Sequence, residues 1–207
     1  ENACASGLSA LALARLAIDS GRHGIVLVLG LEKMSHVDRA RPLRALDGAL
    51  DVEVESSLVG EARAHSTFME IYAAKARRHM ERFGSTQHEM AQIVVKNRRH
   101  AAENPIALFR EPTTVAEVLG SRVIVDPLTV GMCSRVSDAA AAVVVAARGG
   151  RWSNPIRLAS VAVVSGGVDA SASGRAARLA YDEAGIEPSD IDLAEVHDAT
   201  ASAEIEA

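Results

Sequence analysis

Residues Ser6 to Ser20 are mostly Ala and Leu, with Arg15 and Asp19 the only charges. Arg15, Asp19 and Arg22 are spaced four and three apart, so on a helix they form one thin polar stripe. A helix that is apolar on nearly every other side belongs inside a protein. Ser20-Gly21 gives it a stop, and Ile25 to Leu29 follows as an unbroken aliphatic run. Such a run reads as a strand covered on both faces, the habit of parallel sheets in α/β proteins. Helix then parallel strand also implies an earlier strand running into Cys4.

The rest of the chain fits that constraint. It is 48% apolar with only 3% aromatic residues, which suits helices packed closely on a sheet through small side chains. The net charge of −5 gives no reason to expect nucleic-acid binding. The longest apolar run, Ala139 to Ala147, is too short for a membrane span. Two cysteines far apart, Cys4 and Cys133, form neither a disulfide framework nor a metal motif. A reducing, cytoplasmic setting is expected, because a working thiol must stay reduced. No signal peptide is visible. The start at Glu1 without Met and the helical pattern running into Ala207 read as internal boundaries.

From His36 to about Pro112 charges are frequent and strand patterns absent. Met69, Tyr72, Ala76, Met80 and Phe83 recur at helical spacing and stop at Gly84. Thr86 and Glu89 predict a capping box for a second helix carrying Met90, Ile93 and Val94. This is a helical insertion in an α/β domain. The α/β pattern resumes near Val115, with Ala139 to Ala147 a buried strand. A second unit is expected beyond it: strand Leu158 to Val164, helix about Ser173 to Ala184, a stop at Gly185, strand Ile191 to Val196.

Cys4 lies in Asn2-Ala3-Cys4-Ala5-Ser6-Gly7, directly before the apolar helix. Unpaired N–H groups and the positive dipole end of a helix N-terminus favour thiolate over thiol, and the thiolate is the nucleophile. The same N–H groups can hold an oxyanion. Position alone fits a small packing cysteine equally well, so both readings stand. His197 and Asp198 come directly after the apolar run Ile191 to Val196, where groups at strand ends gather around ligands; a surface or capping histidine fits the same spacing. Between Lys75 and Arg99 seven Lys or Arg oppose two acids. Lys96, Arg98 and Arg99 are candidates for a phosphate-bearing cofactor, against the alternative of an ordinary solvated helix face. Cys133 carries no mark of activation and reads as structural.

Several segments together resemble the thiolase superfamily. Asn2 to Gly7 resembles its nucleophile motif. Gly30-Leu31-Glu32-Lys33-Met34-Ser35 is similar to its Gly-x-Glu-x-Met-Ser segment, and Ser137-Asp138-Ala139-Ala140-Ala141 to its (Asn/Ser)-Asp-Gly-Ala-Ala strand start. Met80 to Gly84, Lys96 to His100 and Asn104-Pro105 resemble the loop domain of the sterol-carrier-protein-type thiolases. Val196-His197-Asp198-Ala199 resembles the His-Asp segment of that branch. The ordered set covers essentially the whole chain.

The resemblance implies an α/β protein with a thiolase-like fold: two similar α/β halves in a layered αβαβα arrangement, a helical loop-domain insertion, and the second half truncated. Residues 1–37 and 112–150 would form the N-terminal half, 38–111 the loop domain, and 151–207 the start of the C-terminal half. It implies an acyltransferase cleaving 3-ketoacyl-CoA with CoA, or condensing acyl-CoAs, through an acyl-Cys4 intermediate. His197 would help form the oxyanion hole, Ser134 would contact the pantetheine arm, and Lys96, Arg98 and Arg99 would meet the CoA phosphates. Coenzyme A thioesters would be substrates, with no permanently bound cofactor and no metal. Homodimers or tetramers are implied, and some members of the branch use an acyl-CoA-binding partner subunit.

Three departures bear on this. The family's Gly-His-Pro and Cys-x-Gly residues are missing, so this chain alone is expected to be inactive. Ala139 replaces the usual Gly, and Thr200 stands where Phe is common. Competing readings are a thiolase-like aldolase of steroid side-chain degradation, which needs no cysteine nucleophile, and a ketoacyl-synthase-like enzyme, echoed in Glu195-x-His197-x-x-Thr200. A non-catalytic lipid-binding or scaffold protein of the same fold is the third.

Overall fold

The computed structural model describes residues 2–38, 40–48, 66–149, 156–165 and 172–206. They divide into two compact units, Glu1–Val37 with Ser137–Ala194 and Asp38–Val136 with Glu195–Ala207.

In the first unit a 3₁₀ turn, Ala3–Ala5, leads into helix α1, Ser6–Asp19. Strand β1, Ile25–Glu32, comes after the left-handed Gly21 (φ 71°). The polar stripe forms as the spacing requires: Arg15 Nε meets Asp19 at 3.2 Å. Arg15 also reaches Glu183 at 2.8 Å on helix α6, Ala172–Ala184, which ends at the left-handed Gly185. Strand β4, Ala139–Ala146, pairs with β1 in antiparallel register, Glu32 opposite Ala139 and Ile25 opposite Ala146.

Here the structure departs from the sequence expectations. The β1–β4 pair is antiparallel and two-stranded, so β1 has no parallel neighbour among the described residues. Burial on both faces is not realised. Val28 is buried, while Ile25, Leu27, Leu29 and Leu31, pointing to the other face, are 56–68% exposed, and Val143 and Val144 of β4 are exposed too. Nor do Leu158 to Val164 and Ile191 to Val196 form strands. Aliphatic residues set a tendency to extend, but a strand exists only where a neighbour completes its hydrogen-bond ladder, and neither run has one among the described residues.

Asp138 closes the sheet at its far end. Its carboxylate accepts the N–H groups of Met34 and Ser35, both at 2.7 Å, the Ser35 hydroxyl at 2.5 Å and the Lys33 ammonium at 3.3 Å. Hydrogen bonds from the Ser35 hydroxyl and amide hold this carboxyl far below the usual carboxylate range.

The second unit is mostly helical: α2, Ala40–Asp47, α3, Thr67–Phe83, α4, Gln87–Ala102, α5, Val115–Gly120, and α7, Ala201–Glu206. Two short strands, β2 (Val123–Val125) and β3 (Leu128–Thr129), form a small antiparallel pair. The Thr86–Glu89 capping box is present, and Thr114 with Glu117 makes a second one for α5. Gly84 ends α3 with a left-handed φ of 74°. Ala73 and Ala76 of α3, Ala91 of α4 and Ala201 of α7 let these helices approach closely around Met90, Val118, Leu128 and Met132, all buried. Phe83 is an exception to the apolar stripe: it lies exposed, its ring 4.7 Å from that of His79. Among the described residues no helix is long and apolar enough to cross a membrane.

Met90 is wholly enclosed, so Met90→Ala leaves a cavity and should cost about 2–5 kcal/mol, read as a lower thermal midpoint. Asp138→Asn should speed amide exchange at Met34 and Ser35 at neutral pH. A depressed carboxyl contributes stability in full above its unfolded value near 3.8 and loses it progressively as pH falls from there through the lower folded value, so the difference from the unmodified protein shrinks below about pH 4.

Candidate active site

Cys4 is exposed and sits inside the 3₁₀ turn that precedes α1. The turn is clasped by short polar contacts. Asn2 N–H donates to Ser6 Oγ at 2.7 Å, Ser6 Oγ donates to the Ala3 carbonyl at 2.7 Å, and the Asn2 amide reaches Ser9 Oγ at 2.9 Å. Ala3, next to Cys4, has a φ of 44°. A left-handed alanine is strained, and such strain gathers where a reactive side chain must be presented in one direction. Ala5 at the N-cap has no side-chain acceptor, so no side chain caps the start of α1 there. Small residues thus surround an exposed thiol at the start of α1, where the Ser6 N–H already donates to the Ala3 carbonyl.

The other sequence candidates lie in the second unit. His197 is exposed, in the segment between the Pro188–Asp190 turn and α7. Residues 199 and 200, just beyond it, are fixed by backbone contacts. Ser134 N–H donates to the Ala199 carbonyl at 3.0 Å, and Cys133 forms an isolated antiparallel bridge with Thr200. Ser134 and the His197 segment are therefore neighbours, although more than sixty positions separate them in sequence. Thr200 is fully buried, its hydroxyl shared with Ser202 at 2.9 Å, so the small polar residue in place of Phe is accommodated without an unmet hydrogen bond.

The basic run of α4 divides. Lys96 forms an ion pair with Glu204 of α7. Arg98 lies two positions on, a spacing that points side chains apart on a helix, and its guanidinium stacks 4.1 Å over the ring of Phe109. Arg135 approaches the same ring at 5.7 Å. Arg99 is exposed. The structure thus places Lys96 and Arg98 in different surroundings rather than in one cluster. Arg135 and Phe109 escape a reading of the sequence because their meeting with Arg98 is tertiary.

Two further features border α4. A groove of about 620 Å³ is lined by His79, Phe83, Ser85, Glu89, Lys96 and Ile205. His79 Nδ1 and Ser85 Oγ share a hydrogen bond of 2.8 Å there. No carboxylate contact to this imidazole is present among the described residues, so the pair lacks the orienting third group of a nucleophilic triad and serves as a clasp at the end of α3. No group of three or more His, Cys, Asp or Glu among the described residues could hold a metal ion.

The two cysteines differ in exposure: Cys4 is exposed and Cys133 is partly buried. Burial pushes the Cys133 thiol up to about 11. At pH 8 only about one Cys133 in a thousand is then thiolate. Iodoacetamide at that pH should label Cys4 and spare Cys133, as peptide mass mapping would report.

The chain matches the family model described as thiolase, N-terminal domain, over residues 1–127. It is 38% identical over 210 residues to the acetyl-CoA acetyltransferase of Methanothermobacter thermautotrophicus, an alignment covering 96% of this chain and 53% of that protein. Sterol carrier protein 2 of Oryctolagus cuniculus is 31% identical over 231 residues, covering 99% of this chain and 41% of that one. Among solved structures, the Ltp2-ChsH2(DUF35) aldolase superposes with a TM-score of 0.76 at 22% identity, over 96% of this chain and 54% of its own. At that identity the likeness is one of fold. The chain spans about half the length of these relatives, or less.

Proposed function

The chain belongs to the thiolase family and has its fold, and on that premise we propose that it carries the nucleophile of an acyltransferase acting on coenzyme A thioesters. The observation that carries this reading is Cys4: an exposed thiol in a strained, clasped turn at the uncapped start of an apolar helix. In the degradative direction the Cys4 thiolate attacks the 3-keto carbon of a 3-ketoacyl-CoA. The C2–C3 bond breaks, its electron pair stays on C2, and that carbon takes a proton to give acetyl-CoA. The acyl group remains as a thioester on Cys4. The thiolate of free CoA then attacks this thioester, releasing the shortened acyl-CoA and regenerating the Cys4 thiolate. Condensation of two acyl-CoAs is the reverse.

A developing oxyanion at the carbon attacked by Cys4 falls to N–H groups of the first turn of α1 beyond Ser6, whose own N–H donates to the Ala3 carbonyl. His197 is assigned to the oxyanion hole for the thioester carbonyl, and Ser134, brought beside the His197 segment, to the pantetheine arm. The CoA phosphates fall to Arg98 and Arg99, with Lys96 shared between them and Glu204. Coenzyme A thioesters enter and leave as substrates, and the reading needs no resident cofactor. A homodimer or tetramer, with or without a further acyl-CoA-binding subunit, belongs to the same proposal. The 207 residues contain no Gly-His-Pro or Cys-x-Gly segment, so proton transfer to and from C2 is not assigned to this chain.

The test uses the full gene product that contains this chain. Intact mass after acetoacetyl-CoA should show an acetyl adduct on Cys4 that free CoA removes. Cys4→Ala should form no adduct and lose at least about a thousandfold in turnover, the scale of removing a covalent nucleophile. If neither acetoacetyl-CoA nor longer 3-ketoacyl-CoAs give an adduct, covalent catalysis by Cys4 is wrong and the aldolase or scaffold reading replaces it.

A further inference from the structure

Asn97 stands in the middle of the basic run of α4 without a charge of its own, and its amide is used twice. Nδ2 donates to Glu204 Oε2 at 2.8 Å and to Asp198 Oδ2 at 3.3 Å. The other oxygen of Glu204 takes the Lys96 ammonium. Two carboxylates thus converge on one amide with one cation beside them. Burial, and then the nearby Glu204, push the Asp198 carboxyl up; Glu204 is held down, against the cost of its own burial, by Lys96 and Asn97. An alanine here would leave the two acids facing each other without a donor between them. An aspartate would add a third negative charge.

These contacts bind α4 to the residue directly after His197. From the other side, Ser134 N–H holds the Ala199 carbonyl and Cys133 bridges Thr200. Residues 198–200 are therefore gripped from two elements, and His197 is the last residue before the grip. We infer that Asn97 and Asp198 are positioning residues for His197: their hydrogen bond fixes the backbone from which the imidazole is presented to the substrate carbonyl. The inference rests on the assignment of His197 to the oxyanion hole. An oxyanion contact is made more strongly in the transition state than in the ground state, and a shift of about 1 Å in such a group costs up to about a hundredfold in rate.

The test is kinetic, in the full gene product. Asn97→Ala should lower kcat by roughly 10- to 100-fold with KM changed by less than about threefold. Asn97→Gln, which keeps the donor, should recover part of the loss. Asn97→Asp, facing Asp198 and Glu204 with Lys96, His100 and His197 around it, should be the worst of the three. In a His197→Ala background Asn97→Ala should have no further effect on kcat, because it acts through the imidazole. Amide exchange across residues 198–200 should rise in Asn97→Ala whatever the activity. An unchanged kcat in Asn97→Ala, or an equal loss with and without His197, overturns the positioning role while leaving the thiolase reading intact. Absence of turnover and of acyl adduct in the unmodified protein sinks that reading, and the positioning role with it.

Discussion

A single carboxylate decides how the sheet of the first unit is put together. Strand β4 reads Ala-Ala-Ala-Ala-Val-Val-Val-Ala, and β1 is aliphatic apart from Gly30 and Glu32, so the side chains along the pair do little to mark which residues should lie opposite. Apolar pattern alone specifies register weakly in such a strand. Asp138 removes the degeneracy. Fixed one residue before β4, it accepts the amides of Met34 and Ser35, some 103–104 positions away, and can satisfy them in one register only. The alignment of Glu32 with Ala139, and with it the position of every residue on both strands, is set by that contact. Strand β1 in turn supplies the surface on which α1 lies, and α1 begins at the turn that holds Cys4.

Features encoded within one turn of helix were open to sequence reading. The polar stripe of Arg15 and Asp19, the capping box at Thr86, the stop at Gly84 and the helix ending at Ala184 all depend on neighbours three or four residues away. Pairing was less legible. Leu158 to Val164 and Ile191 to Val196 have the composition of strands, yet composition says nothing about whether a partner lies alongside. The antiparallel sense of β1 and β4 was hidden for the same reason. In the candidate site the place of Cys4 directly before an apolar helix is legible in the sequence, while the clasp of Asn2, Ser6 and Ser9 around it is not. Asn97 was not, since its acceptors lie 101 and 107 positions on and the residue itself is an unremarkable amide among cations.

The distribution of charge in the second unit carries a related lesson. The run from Lys75 to Arg99 looks like one basic surface on paper, but it is divided between helices α3 and α4. Lys96 is neutralised by Glu204, Arg98 is laid against an aromatic ring, and Arg82 lies 5.0 Å from that of Phe83. Cation–aromatic contacts of this kind keep the full charge while lowering its freedom to move. Arg98 is thus stacked on Phe109 with Arg135 near the same ring, whereas Arg99 is exposed.

The Ser35–Asp138 closure has one more consequence. The long segment that departs after Ser35 returns at Ser137, and its two ends are held together by the first unit's own hydrogen bonds. The entropy of closing such a loop rises only slowly with its length, by about 0.6 kcal/mol for each doubling. Length changes between Ser35 and Ser137 therefore cost the β1–β4 pairing little, so long as residues 195–207, which complete the core of the second unit through Ala201, keep their partners.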